Sequence, residues 1–156
     1  MQPKKKAQIL AASLLTLALS PLSFASDAVH KISHIHMFES GKVGQLVMNN
    51  RGLISETAVS DDTDAIVENA DAIKDMKSAG KQITEYLNKG FPVLIEGTDS
   101  NKTKELAKAA CGFEIDAPIA ILYRSAKDSE DTTFLTFGKD DAAQAAEFVA
   151  QMTKRK

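Results

Sequence analysis

The sequence predicts one α/β domain, a mixed sheet flanked by helices with a β-hairpin at its N-terminal end. Two short apolar runs lead there, Pro92-Val93-Leu94-Ile95 and Ala117-Pro118-Ile119-Ala120-Ile121-Leu122-Tyr123. Continuous and partly branched, they have the composition of strands buried on both faces. Proline lacks a backbone N–H, so it starts such strands and does not lie inside them. One helical segment separates the runs, a spacing that predicts parallel neighbours joined by a right-handed crossover.

Taken in order, the chain opens with Met-Gln-Pro-Lys-Lys-Lys, continues with the apolar segment Ile9 to Leu19, and reaches Pro21 and Ser23-Phe24-Ala25. A basic start, a short apolar run and a small-x-small end predict a secretory signal peptide over residues 1–25, cleaved after Ala25. The apolar core is too short for a permanent membrane span, and no cysteine near the cleavage site could carry a lipid. The expected product is a soluble exported chain, periplasmic or secreted, without stable membrane insertion. Residues 26–156 then form a single domain of ordinary size. They hold 16 basic and 21 acidic residues, a net charge of −5, which disfavours nucleic acid and anionic membrane surfaces as partners.

Val29 to Phe38 reads as a strand, and Glu39-Ser40-Gly41-Lys42 as a turn into a second strand, Val43 to Met48, completing the hairpin. Asn49-Asn50-Arg51-Gly52 tolerates positive φ and leads to a further strand, Leu53 to Val59. From Ser60-Asp61-Asp62-Thr63-Asp64 onward, Ile66, Ala70, Ile73, Met76, Gly80, Ile83 and Leu87 recur at steps of three and four. That period predicts one amphipathic helix, or two meeting at Gly80, with acidic residues at its start and Gly90 after its end. A helix capped by Ser100 or Asn101 runs to Gly112. Beyond the second apolar run, Thr133 to Phe137 returns as an antiparallel hairpin partner. A last helix follows, with Ala142, Ala145, Ala146, Val149 and Met152 inward.

Few residues advertise chemistry. His30, His34 and His36 share one face of the first strand, where imidazoles two apart can hold Zn²⁺ or Cu²⁺. A solvent-facing or partner-facing strand explains the same spacing, and two well-placed ligands fall short of a tight site. Cys111 is the only cysteine, so no intramolecular disulfide forms. It falls near a helix C-terminus, where the dipole disfavours a thiolate, so a buried structural thiol is expected. Asp61, Asp62 and Asp64, with Glu68 and Asp71 beyond, can be read as a cation site or a pair of catalytic carboxylates, but helix capping accounts for the first three, and for Asp140 and Asp141. The Asp-x-Asp-x-Asp-Gly pattern of a Ca²⁺ loop is missing. The sequence also lacks a Gly-x-Ser-x-Gly elbow, a His-Glu-x-x-His helix and a phosphate-binding glycine loop, and nothing in it calls for a cofactor.

The order strand, helix, strand, helix, strand, strand, helix from Ile54 onward resembles the thioredoxin-like fold over residues 53–153. Leu106-Ala107, Cys111-Gly112-Phe113 and Ala117-Pro118-Ile119 look like that family's helix, glycine turn and proline-initiated strand. The resemblance implies a cis Ala117–Pro118 bond facing the active-site position, with Ala117 as its substrate-facing neighbour. Where the redox members carry Cys-x-x-Cys, this chain reads Ser60-Asp61-Asp62-Thr63, and one sulfur cannot make a dithiol. The resulting expectation is a redox-inactive, non-enzymatic, exported protein-binding domain of adaptor, chaperone-like or inhibitory type. Ala117 and Pro118 are its candidate partner contacts and another exported or envelope protein its partner. The alternative is a periplasmic metal-binding protein using the His30, His34 and His36 strand.

Overall fold

The computed structural model describes residues 33–38, 41–49, 53–56, 58–125 and 130–154. In chain order its strands and helices are β1 (Ser33–Phe38), α1 (Lys42–Met48), β2 (Leu53–Glu56), β3 (Thr63–Asn69), α2 (Met76–Asn88), β4 (Val93–Glu96), α3 (Ser100–Cys111), β5 (Ile119–Arg124), β6 (Thr132–Phe137) and α4 (Ala142–Lys154). Short 3₁₀ turns, Ala70–Ala72 and Lys139–Asp141, follow β3 and precede α4. The six strands form one mixed sheet in the order β2-β1-β3-β4-β5-β6. The first three pairings are parallel, and β5 and β6 run antiparallel to their neighbours.

Each sheet face carries its own core. Ile35, Val67, Leu94, Ile121 and Leu135 pack with Val43 and Val47 of α1 and Ala145, Phe148 and Val149 of α4. On the other face Ile66, Val93, Ile95, Ala120 and Leu122 meet Ile83 and Leu87 of α2 and Leu106, Ala107 and Ala110 of α3. The result is an α/β domain of three layers. Among the described residues, no helix is long and apolar enough to cross a membrane.

Five sequence expectations are corrected. The segment expected as the second hairpin strand is helix α1, which buries Val43 and Val47 one turn apart. Val-x-x-x-Val places both side chains on one helical face, and β1 and β2, being parallel, need a crossover rather than a tight turn. The long helix expected from Asp64 is instead strand β3, buried from Thr63 to Glu68, and only Met76–Asn88 is helical. Ser60 to Thr63 is a turn, closed by the Thr63 N–H on the Ser60 carbonyl at 3.1 Å, so Asp61 and Asp62 cap no helix. The real cap of α2 is Asp75, whose carboxylate accepts from Ser78 N–H at 3.1 Å.

Strands β4 and β5 are antiparallel, with Glu96 opposite Ile119. The 12 residues of α3 carry the chain about 18 Å away, and the irregular segment 112–118 returns it to the end of β4, where the Gly97 N–H meets the Pro118 carbonyl. The chain therefore re-enters the sheet where it left it. No described peptide bond is cis, so Ala117–Pro118 is trans, against the expectation drawn from the family resemblance. The β5–β6 hairpin is antiparallel as expected, and Gly112 ends α3 at φ 81°. From β3 onward the elements keep the expected order, starting at Thr63 rather than Ile54.

Gly80 marks close helix packing rather than a helix break. A Cβ there would lie 2.6 Å from the carbonyl carbon and Cβ of Ala109 on α3. Beside it, the Thr84 hydroxyl donates to the Ala110 carbonyl at 2.7 Å. Gly80→Ala should gain about 1 kcal/mol of helix propensity yet lower stability overall, because forcing the helices apart costs about 1–3 kcal/mol or more. Denaturant unfolding checks this, and a gain in stability would show that α2 and α3 separate freely.

Candidate functional site

β1 and β3 are neighbours whose connections leave in opposite directions, β1 through α1 to β2 and β3 through α2 to β4. Right-handed crossovers then put α1 and α2 on opposite faces and open a crevice at the carboxyl ends of the strands. A cleft of about 410 Å³ lies there. Gly41, Lys42 and Val43 form one wall, Asn69 and Asp71 another, and Glu96, Gly97 and Thr98 a third, with Ile119, Lys139, Asp140 and Ala142 completing it.

Glu96 organises the cleft. At 5% exposure it accepts from Val43 N–H at 3.0 Å through Oε1 and from Gly44 N–H at 2.8 Å through Oε2. No side chain of α1 caps its own N-terminus, so a carboxylate from β4 does so. Burial raises the Glu96 pKa, the two amides oppose that, and Asp71 adds to it. Gly41 is required here because a Cβ would collide with the Glu96 carboxylate. Asp71 in turn accepts from Thr98 N–H at 2.9 Å, and Asn69 accepts from Asp71 N–H at 3.1 Å. These acids hold loops in place, and Lys42 and Lys139 stand exposed at the rim.

His34 and His36 do share a face of β1, while His30 lies outside the described residues. His34 Nδ1 lies 2.6 Å from Glu56 Oε1, and the Thr63 hydroxyl donates to Glu56 Oε2 at 2.7 Å. The Thr63 hydrogen bond, then His34 and His36, hold Glu56 below the ordinary carboxylate range against some burial. Asp64 accepts from the His34 backbone N–H at 3.2 Å. His36 is 3% exposed, and neither ring nitrogen has a hydrogen-bond partner. Burial keeps its pKa below the ordinary value, against the opposing pull of Glu56. No group of three or more His, Cys, Asp or Glu side chains forms a metal site among the described residues.

Glu68, on β3, is buried on the same face, and its Oε2 is also unpartnered. Burial pushes its pKa up to about 7. Cys111 donates its S–H to the Ala107 carbonyl at 3.1 Å, and burial pushes the thiol up to about 11, against a smaller opposing effect of Arg124. A thiol in that state is a poor nucleophile at neutral pH. Ala117 is buried and Pro118 half-buried. The Pro118 carbonyl accepts from Gly97 N–H and from the Thr103 hydroxyl, both at 2.8 Å.

Sequence reasoning weighed Glu68 only as part of an acidic group that began at Asp61. It missed Glu96 and Gly41, whose only signals were a lone acid ending the buried run Ile95-Glu96 and a glycine just beyond a strand. Comparison of the chain with protein-family models, curated proteins and solved structures gives no match.

Glu96→Gln keeps the shape but has one acceptor oxygen for two amides, so one buried N–H loses its partner at a cost of about 1–3 kcal/mol. Unfolding titrations should show that loss, and hydrogen exchange should accelerate at Val43 or Gly44. Unchanged protection at both would mean that Glu96 does not hold α1.

Glu68 titrates near 7 in the folded chain and near 4.5 when unfolded, so between those values only the folded state keeps the proton. Its stabilising contribution is therefore full below pH 4.5 and falls as pH rises through 7, by about 3 kcal/mol in all. Glu68→Gln should abolish that decline relative to the parent. Parallel pH–stability curves for the two proteins would show that Glu68 is ionised throughout.

Proposed function

We propose that the chain is an exported, non-enzymatic binding domain of thioredoxin-like type that engages another protein of the cell envelope. The observation carrying this reading is the chemistry of the switch-point cleft. Glu96 and Asp71 are committed to backbone amides, and no serine, cysteine or histidine is among the described lining residues. A cleft so lined has room for a partner segment, and Glu96 and Asp71 within it are engaged by backbone amides rather than poised beside a nucleophile.

Other features support the same reading. The lone thiol is held protonated, which fits a redox-inactive role. The basic, apolar and small-residue pattern of residues 1–25 supports export. The element order from β3 onward supports thioredoxin-like kinship, and the trans Ala117–Pro118 bond counts against it. Pro118 adjoins the cleft, since Ile119 lines it and Gly97, another lining residue, bonds the Pro118 carbonyl. In this reading the partner would lie across the cleft and the half-buried Pro118 together.

A photo-crosslinking residue at Thr98 or Lys139, in the full chain expressed in its host, should give a discrete adduct with an envelope protein. The same probe at exposed Gln82 on α2 should not. Identical adducts from Gln82, or none from the cleft positions, would remove this reading.

A further inference from the structure

Among the described residues, the buried side-chain polar atoms on one face of the sheet without a protein partner are the two ring nitrogens of His36, Oε2 of Glu68 and, three strands from His36 on β5, Nε of Arg124. Side chains two apart on a strand share a face, so His36 and Phe38 project together from β1. The register that sets Phe38 opposite Glu68 brings that carboxyl beside them. The His36 ring meets Phe38 edge-on, with centroids 4.2 Å apart. From α2, Tyr86 packs against the core of this face, and burial, then the charges of Glu68 and Glu85, raise its pKa. The cluster is a buried carboxyl and a buried imidazole with the half-buried Phe38 against the imidazole and the half-buried Tyr86 on the same face.

No cation is seen to act on Glu68 among the described residues, and burial alone shifts it. The titratable and charged groups on this face are His34 from β1, Glu56 from β2, Asp64 from β3, Glu85 and Lys89 at the C-terminal end of α2, Cys111 from α3 and Arg124 from β5, whose guanidinium bonds Asn88. Glu56 is engaged by Thr63 and His34, and Asp64 by the His34 backbone. A buried acceptor without a donor destabilises a fold, so its presence calls for a group that completes it.

We propose that the His36, Phe38, Glu68 and Tyr86 cluster binds the primary ammonium group of a small amine. An ammonium brings three N–H donors and a positive charge. Glu68 Oε2 and the unprotonated nitrogen of His36 each accept one donor, and the faces of Phe38 and Tyr86 attract the cation. A divalent metal is served less well, because His36 and Glu68 supply two ligands where a tight site needs three or four. The cluster shares no residue with the switch-point cleft, so this site stands apart from the function proposed above.

The test titrates the full chain with methylammonium and butylammonium chloride, with sodium chloride at equal ionic strength as the control, and follows amide NMR shifts. Saturable shifts at Phe38, Glu68 and Tyr86 are expected. As Glu68 ionises, its charged fraction rises from about a tenth at pH 6 to about nine-tenths at pH 8, so affinity should rise about tenfold. Glu68→Gln removes the charge without emptying the site, is expected to fold, and should weaken binding at pH 8 at least tenfold. Non-saturable shifts, equal binding by Glu68→Gln, or binding of Zn²⁺ but not of amines would overturn the proposal.

Discussion

The carboxylate of Glu96 on the first amides of α1 is the contact that the rest of the architecture is arranged around. Burying a charge is expensive unless hydrogen bonds replace its water, and here two charge-assisted bonds do so at the positive end of a helix. The contact fixes the start of α1 beside the end of β4, two strands away, and so ties the β1–α1–β2 unit to the β3–α2–β4 unit across the switch point. It also dictates Gly41, because nothing larger leaves room for the carboxylate. Where α/β proteins often present helix N-termini to an anionic ligand, this chain fills the place with its own side chain. What remains open is a cleft in which Glu96 and Asp71 are already engaged by backbone amides.

Two buried glutamates on neighbouring strands show how differently one residue type can be used. Glu96 faces the α1 and α4 side, and both its oxygens are engaged. Glu68 pairs in register with Ile95, projects to the opposite face, and has one oxygen unpartnered. Desolvation raises both pKa values, but only Glu96 has amides that pull the other way. The first is a structural clamp. The second is a polarised, incomplete environment, the kind of place where an isolated acid is retained for what it meets rather than for what it stabilises.

Legibility in the sequence followed the physics of each segment. β4, β5 and α3 were readable because continuous apolar runs, prolines and the Gly112 stop signal all agree. β3 was not, because Ala65, Ile66 and Val67 are flanked by Thr63, Asp64 and Glu68, polar residues that lie buried all the same. Its Ile66 and Ala70 extended the helical period of α2 backwards by coincidence. α1 was lost because Val43 and Val47 satisfy both an alternating and a helical pattern, and only the parallel pairing of β1 with β2 decides. Of the candidate site, the shared face of His34 and His36 was visible. Its partners were not, since Glu56 lies 22 residues from His34, and Glu96 lies 53 from Val43. No local pattern encodes such pairings.

The antiparallel entry of β5 links the fold to the cleft. Had the chain crossed over to a parallel β5, the strand would begin at the opposite edge of the sheet, and Ile119 would lie far from Glu96. Instead the irregular return after Gly112 brings Pro118 back to the end of β4. There Gly97 and Thr103 both donate to its carbonyl and set the first residue of β5 against Glu96. A trans proline performs this turn without the sharp reversal that the family resemblance implied. The residue that looked like the landmark of a redox fold is therefore an anchor, locking one wall of a cleft whose other wall is held by Glu96. One anchor is the Glu96 carboxylate on two backbone amides and the other is the Pro118 carbonyl held by the Gly97 amide and the Thr103 hydroxyl, while Thr98, Lys139 and Asp140 line the cleft as exposed residues.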